Sequence, residues 1–243
     1  MSGARTLATA RRVLGQLRHD RRTVALILVV PVVLMTLLAW ILPDPAFQAW
    51  APPLLGVFPM LVMFLVTSVA TLRERTGGTL ERLLSMPIGK GDFVFGYALA
   101  FSALAVVQAL LVGTVSFTLL GLSVAGSAWL VLLVAVLDGL IGTALGLFVS
   151  AFAQTEFQAV QFMPVALLPQ LLLCGLIVPT DQLPTVLEWL SWILPLTYAI
   201  DAMNHVAAYP THDARFWIDV AVILAMGIAL LAAGAATLKR RTP

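Results

Sequence analysis

No Lys or Arg lies between Arg22 and Arg73, between Lys90 and Arg215, or between Arg215 and Lys239. Thirteen of the 14 basic residues are therefore crowded into residues 5–22, 73–90 and 239–241, and Arg215 stands apart. Cations gathered at the ends of long apolar stretches mark a chain threaded through lipid, because cytoplasmic flanks retain Lys and Arg while the apolar stretches partition into hydrocarbon. This pattern predicts that both termini and one loop face the cytoplasm, so the number of crossings is even. Composition agrees: 60% of residues are hydrophobic and 11% charged, against about 25% charged in soluble domains. The basic residues flank apolar spans, as anchors to an anionic leaflet do, and this placement excludes a nucleic-acid partner. The one cysteine, Cys174, lies in an apolar run, which excludes an internal disulfide framework and a Cys-based metal site. Neither a metal nor a cofactor of its own is expected.

A helix crosses a hydrocarbon core of roughly 30 Å with about 20 apolar residues. Six stretches meet that rule, at about 24–42, 53–72, 93–120, 128–153, 160–178 and 216–238. The first is followed by Pro43, Asp44 and Pro45, read as a stop. Residues 93–137 are free of charge and too long for one crossing, and the turn-forming stretch 121–127 (GLSVAGS) divides them. Ahead of the first span, Leu7, Ala10, Leu14 and Leu17 recur at helical steps while Arg11, Arg12, Arg18 and Arg21 fall elsewhere. Residues 5–22 therefore read as an interfacial amphipathic helix. Residues 180–215 carry Trp189, Leu190, Trp192, Ile193, Leu194 and Leu196, too apolar for an exposed loop, and Pro184 and Pro195 divide them. Two short re-entrant helices on the outer side fit this composition, and so do two helices lying flat on the surface. The fold class is thus all-α integral membrane, with residues 1–243 as a single transmembrane domain.

Catalytic motifs are missing: there is no GxxxxGK[ST], no HExxH and no GxSxG, and His19, His205 and His212 are scattered outside the spans. An enzyme is not expected. The informative polar segment is the loop 73–92, RERTGGTLERLLSMPIGKGD. Gly77 and Gly78 free the backbone, residues 79–86 suit about two helical turns, and Pro87 stops them. Leu80, Leu83 and Leu84 would form an apolar face beside Glu81 and Arg82, which suits docking into a groove of another protein. A plain connector between two spans fits the same periodicity.

The stretch Glu74-Arg-Thr-Gly-Gly-Thr-Leu-Glu-Arg-Leu-Leu-Ser-Met-Pro-Ile88 resembles the cytoplasmic loop of ABC-2 type permeases, the membrane subunits of bacterial ABC exporters, in particular the drug-resistance branch. Leu194-Pro-Leu-Thr-Tyr-Ala-Ile-Asp-Ala-Met203 is similar to that family's Pro-x-x-Tyr-x-x-Asp stretch, carried here by Pro195, Tyr198 and Asp201, and the GLIVP run 175–179 is a weaker match. The resemblance implies two permease copies, most simply a homodimer paired along spans one and five, with two ATP-binding subunits that hold the ATP and Mg. It further implies that Glu74, Arg75, Gly77, Gly78, Thr79, Glu81 and Arg82 form the coupling contacts with the ATPase. The pattern departs from the family in one respect, since Asn204 and His205 stand where a basic residue often follows the Asp.

Asp138 is the outlier among apolar residues, about ten residues into its span and so roughly 15 Å deep. A carboxylate there costs about 2.5–3.5 kcal/mol and should face protein or water. Substrate or proton contact is one reading; the other is structural, supported by Gly139, Gly142, Thr143 and Gly146, which permit close helix approach. Glu156 opens span five as a second cytoplasmic contact or as a solvated helix start. Met60, Met63, Phe64, Gln161, Phe162 and Met163 could line an adaptable apolar path or simply pack. The expected function is export of a hydrophobic or amphipathic small molecule, a drug or antibiotic, across the plasma membrane. Lipid or lipid-linked glycan export is the neighbouring alternative. A proton-coupled secondary transporter using Asp138 is the alternative from another class, and an intramembrane enzyme would need a paired acid that the sequence does not show.

Overall fold

The computed structural model describes residues 2–77, 89–211 and 213–237. Among them every regular element is helical. The elements are α1 (Gly3–His19), α2 (Arg21–Ile41), α3 (Asp44–Thr76), α4 (Lys90–Thr118), α5 (Ala128–Ser150), α6 (Glu156–Leu173), α7 (Thr185–Ser191), α8 (Pro195–Ala208) and α9 (Ala214–Thr237), with a 3₁₀ turn at Thr180–Gln182. Five of them, α2, α3, α4 (counted from Gly91), α5 and α9, are long and apolar enough to cross a bilayer. The chain is a multi-pass membrane protein.

Several boundaries differ from the sequence expectation. The triplet at Pro43 does end the first span, but it leaves no loop, because α3 starts at Asp44 rather than at 53. α2 ends at Ile41, Pro43 caps α3, and Asp44 and Pro45 already form its first turn. Proline suits that position because its fixed φ is helical and the missing N–H would be unpaired there anyway. α3 then runs 33 residues through Pro52, Pro53 and Pro59, since packing against neighbours compensates the lost backbone bonds. α5 ends at Ser150 rather than at 153. The expected span 160–178 is instead a helix of 18 residues ending at Leu173. It is capped by Cys174 and followed by Gly175 at φ +85°, the left-handed residue that closes many helices. Gln158, Gln161, Pro164, Pro169 and Gln170 dilute its apolar character. At about 1.5 Å per residue it is nearly 27 Å long, close to a hydrocarbon thickness.

α5 is the centre of the bundle, packed most extensively on α3 and also on α9, α4 and α8. Its small residues make that possible. A Cβ on Gly146 would lie 2.6 Å from the Phe64 carbonyl oxygen, and one on Gly142 would collide with the Met60 carbonyl. Backbones in lipid associate by such close van der Waals approach rather than by hydrophobic exclusion. α1 lies against α4, where Thr9 abuts Gly96. It buries Ala10 and Val13 there while Leu7 and Leu14 stay exposed.

Candidate functional site

Loop 73–92 is approached by two helices whose ends are both tied down. On the α3 side Arg73 donates through Nε and Nη2 to the Glu156 carboxylate at 2.7 and 2.9 Å, a bidentate bridge to the start of α6. Glu74 turns the other way: its Oε1 accepts from Arg12 Nη1 at 3.0 Å and from Gln16 Nε2 at 3.3 Å, both on α1. Arg12 also donates to the Tyr97 hydroxyl of α4 at 3.2 Å. Arg75 donates to the Ser150 carbonyl at the end of α5, and Gly77 closes α3 through its N–H to Arg73 O at 2.9 Å. On the α4 side Asp92 accepts from Gly89 N at 3.1 Å and Ser2 N at 2.9 Å. The last turn of α3 is thus bonded to α1, α5 and α6, and the first turn of α4 to α1.

The expected coupling residues divide accordingly. Glu74 and Arg75 point into the bundle, Gly77 is a helix cap, and Gly78, Thr79, Glu81 and Arg82 lie outside the described residues. Glu156, expected as a separate contact, shares its carboxylate with Arg73. Gln16, Tyr97 and Asp92 were not singled out by sequence, and Arg12 was read only as a basic residue of the amphipathic helix. The available signals were a tyrosine near the head of an apolar span and Asp92 three residues after Gly89, a helix-start spacing.

At the opposite end, Pro195 opens α8. The Tyr198 hydroxyl donates to the Trp192 carbonyl at 2.7 Å, and Thr197 donates to the Ser191 carbonyl at 2.7 Å, tying the first turn of α8 to the end of α7. Asp201 Oδ2 accepts from Arg215 Nη2 at 2.7 Å. The cation that the sequence lacks just after Asp201 comes from the head of α9, from the one basic residue outside the clusters. Ala125 and Gly126 donate to the Ala207 and Val206 carbonyls at 3.0 and 2.9 Å, so the turn between α4 and α5 caps α8.

Met60, Met63 and Phe64 are buried within this chain's own core, Phe162 and Met163 are partly buried, and Gln161 is exposed. Asp138 is fully buried, and neither carboxyl oxygen has a hydrogen-bond partner among the described residues. It sits where α5 meets Gly56 of α3 and Met203 of α8: a Cβ on Gly56 would lie 3.2 Å from Asp138 Oδ2. Asp138→Asn keeps the shape and removes no bond, so protein yield and transport are expected to stay near wild type. Transport lost with normal folding would instead place Asp138 in the mechanism.

Comparison with known proteins adds a family. A family model described as "ABC-2 type transporter" matches residues 6–207. ABC transporter G family member 20 of Dictyostelium discoideum is 29% identical over 168 residues, 68% of this chain and 23% of that protein. The Escherichia coli protein named "Probable multidrug ABC transporter permease YbhR" is 30% identical over 155 residues, 64% of this chain and 42% of the relative. Nodulation protein J of Bradyrhizobium diazoefficiens is 28% identical over 132 residues, 53% and 48%. The chain spans less than half the length of these relatives.

Proposed function

We propose, because this chain belongs to the ABC-2 type transporter family, that it is the membrane permease of an ATP-binding cassette exporter. Residues 1–243 act as one transmembrane domain in which α6 is the sixth crossing, α1 lies at the interface, and α7 and α8 re-enter the outer leaflet. Two copies pair with each other and with two ATP-binding subunits, which carry ATP and Mg; the permease supplies gate and path and hydrolyses nothing. Both termini face the cytoplasm of a plasma membrane. The cargo is a hydrophobic or amphipathic small molecule such as a drug or antibiotic, a class to which the name of the Escherichia coli relative points. Lipid or lipid-linked glycan export remains the alternative.

The observation that carries the reading is the family match over 6–207, which includes the whole 73–92 loop. The anchoring of both loop ends supports it, because a push on the loop would reach α1, α5 and α6 without slack. Pairing along α2 and α6 is supported by the apolar side chains they leave exposed, Leu26, Val29 and Trp40 on one and Val165, Leu168 and Leu172 on the other. Reversing the loop charges with Glu81→Arg and Arg82→Glu is expected to weaken recovery of the ATP-binding subunit in a pull-down while membrane insertion is unchanged. Undiminished recovery would remove the docking role from this loop.

A further inference from the structure

α1 has two unlike sides. On the side turned to the bundle, Thr9, Ala10 and Val13 are buried, and Arg12 and Gln16 meet Glu74. Asp92 accepts from Ser2 N at the head of the helix, and Asp20 at its end lines the cleft that α1 shares with α3 and α4. These three carboxylates all lie along the seam between α1 and the bundle, and α1 itself contains no acidic residue.

The other side reads Leu7, Arg11, Leu14 and Arg18, in steps of four, three and four residues that line up along one helical face. Leu7 is 62% and Leu14 39% exposed. Arg11 and Arg18 are exposed, and neither guanidinium has an ion pair or hydrogen bond among the described residues. The exposed Arg21 and Arg22 carry the positive charge on into the first turn of α2. The level of this stripe follows from the ends of α1. Its head is bonded to the first turn of α4 through Ser2 and Asp92, and Asp20 alone separates its last residue from α2. Both α2 and α4 are long and apolar enough to cross a bilayer, so α1 is held where two spans enter lipid. At that level exposed leucines reach acyl chains, while arginines on the same face extend their charged ends to the headgroups.

We infer that this stripe binds anionic phospholipid in the leaflet on the side of loop 73–92. The guanidinium groups of Arg11 and Arg18 donate to headgroup phosphates, and Leu7 and Leu14 lie among the acyl chains. The occupant is a lipid of net negative charge such as phosphatidylglycerol. A zwitterionic headgroup offers the same phosphate but sets its own cation beside it, and the stripe has no acid to receive that cation. Arg12 takes no part, because it is held by Glu74. The inference rests on the reading of α1 as interfacial and adds to it the class of lipid.

The test uses the full chain in nanodiscs of phosphatidylglycerol and phosphatidylcholine in equal parts, with a photoactivatable diazirine on one lipid or the other. Adducts on α1 are then mapped by peptide mass spectrometry. Each arginine near an anionic surface is worth roughly fivefold, so phosphatidylglycerol adducts on α1 should outnumber phosphatidylcholine adducts by about tenfold or more. Arg11→Gln combined with Arg18→Gln alters only exposed side chains and should lower that ratio by about tenfold. Equal labelling by the two lipids, or a ratio that the double variant leaves unchanged, overturns the headgroup preference while α1 stays at the interface. Adducts on α2 and α9 with none on α1 from either lipid would remove the interfacial reading itself, and the inference with it.

Discussion

Gly142→Val is expected to abolish recovery of folded protein. Position 142 lies where α5 crosses α3, and even a Cβ would run into the backbone of Met60, with carbonyl oxygen, carbonyl carbon and Cα all too close. No rotamer change relieves that, since the obstacle is main chain. The helices must separate, and the separation would spread to Gly146, where a Cβ would sit 2.6 Å from the Phe64 carbonyl and 3.1 Å from Ser68 N. Overpacking a fitted core costs about 1–3 kcal/mol, and more when backbone must move. In lipid the loss falls on the close packing that holds helices together. Size-exclusion chromatography of the purified variant checks this, with Gly15→Ala as control. Gly15 is helical with nothing within 4 Å of a built Cβ, so that change should be neutral or mildly stabilising. A monodisperse Gly142→Val protein at wild-type yield would contradict the α3–α5 contact.

The second large effect is expected from Glu74→Ala. It removes the acceptor of both Arg12 and Gln16 and leaves the Arg12 guanidinium beside Tyr97, largely enclosed, with no counter-charge. Losing one partner of a fully buried pair costs about 3–5 kcal/mol. The Arg12 side chain keeps 28% exposure and the Glu74 side chain 11%, so solvent offsets part of that, and about 2 kcal/mol is expected. The loss should be local, freeing α1 from the bundle. Proteolysis of α1, or hydrogen exchange along it, should accelerate while the cores of α3, α4 and α5 stay protected. Protection of α1 equal to wild type would show that its apolar seat on α4 suffices and that the ion pair adds nothing. By comparison, breaking Asp201–Arg215 should cost little, because the Arg215 side chain is 64% exposed.

The membrane character was legible in the sequence because it depends on a sum: long runs without a cation have few alternatives to lipid. The helix ends were less so, because they depend on single backbone positions. Pro43 marks the end of one helix as expected, yet as the N-cap of α3 it also opens the next, and Leu42 and Pro43 are all that separates α2 from α3. Leu176, Ile177 and Val178 read as helix because they are apolar, but Gly175 at φ +85° has already ended it. Side-chain partners distant in sequence were beyond pattern reading. Glu74 was expected on the docking surface from its place in the loop motif. Its partner Arg12 is 62 residues away, and periodicity within one element carries no trace of that contact. Arg215 shows the reverse: its isolation from the three basic clusters was visible, but only the approach of α9 to α8 reveals that it serves Asp201. Small residues at Gly139, Gly142 and Gly146 were read as permitting close approach, and the structure supplies what approaches, the backbone of α3 for the last two.

The central claim is that this chain is an export permease driven by a separate ATPase. The most direct measurement is ATP-dependent uptake of an amphipathic dye into inside-out vesicles holding this chain and its ATP-binding subunit, each omitted in turn, with ATP or a non-hydrolysable analogue. Accumulation that requires both proteins and hydrolysable ATP is the predicted result. Accumulation by this chain alone under a proton gradient, indifferent to the second protein and to ATP, would contradict the account and make it a secondary transporter.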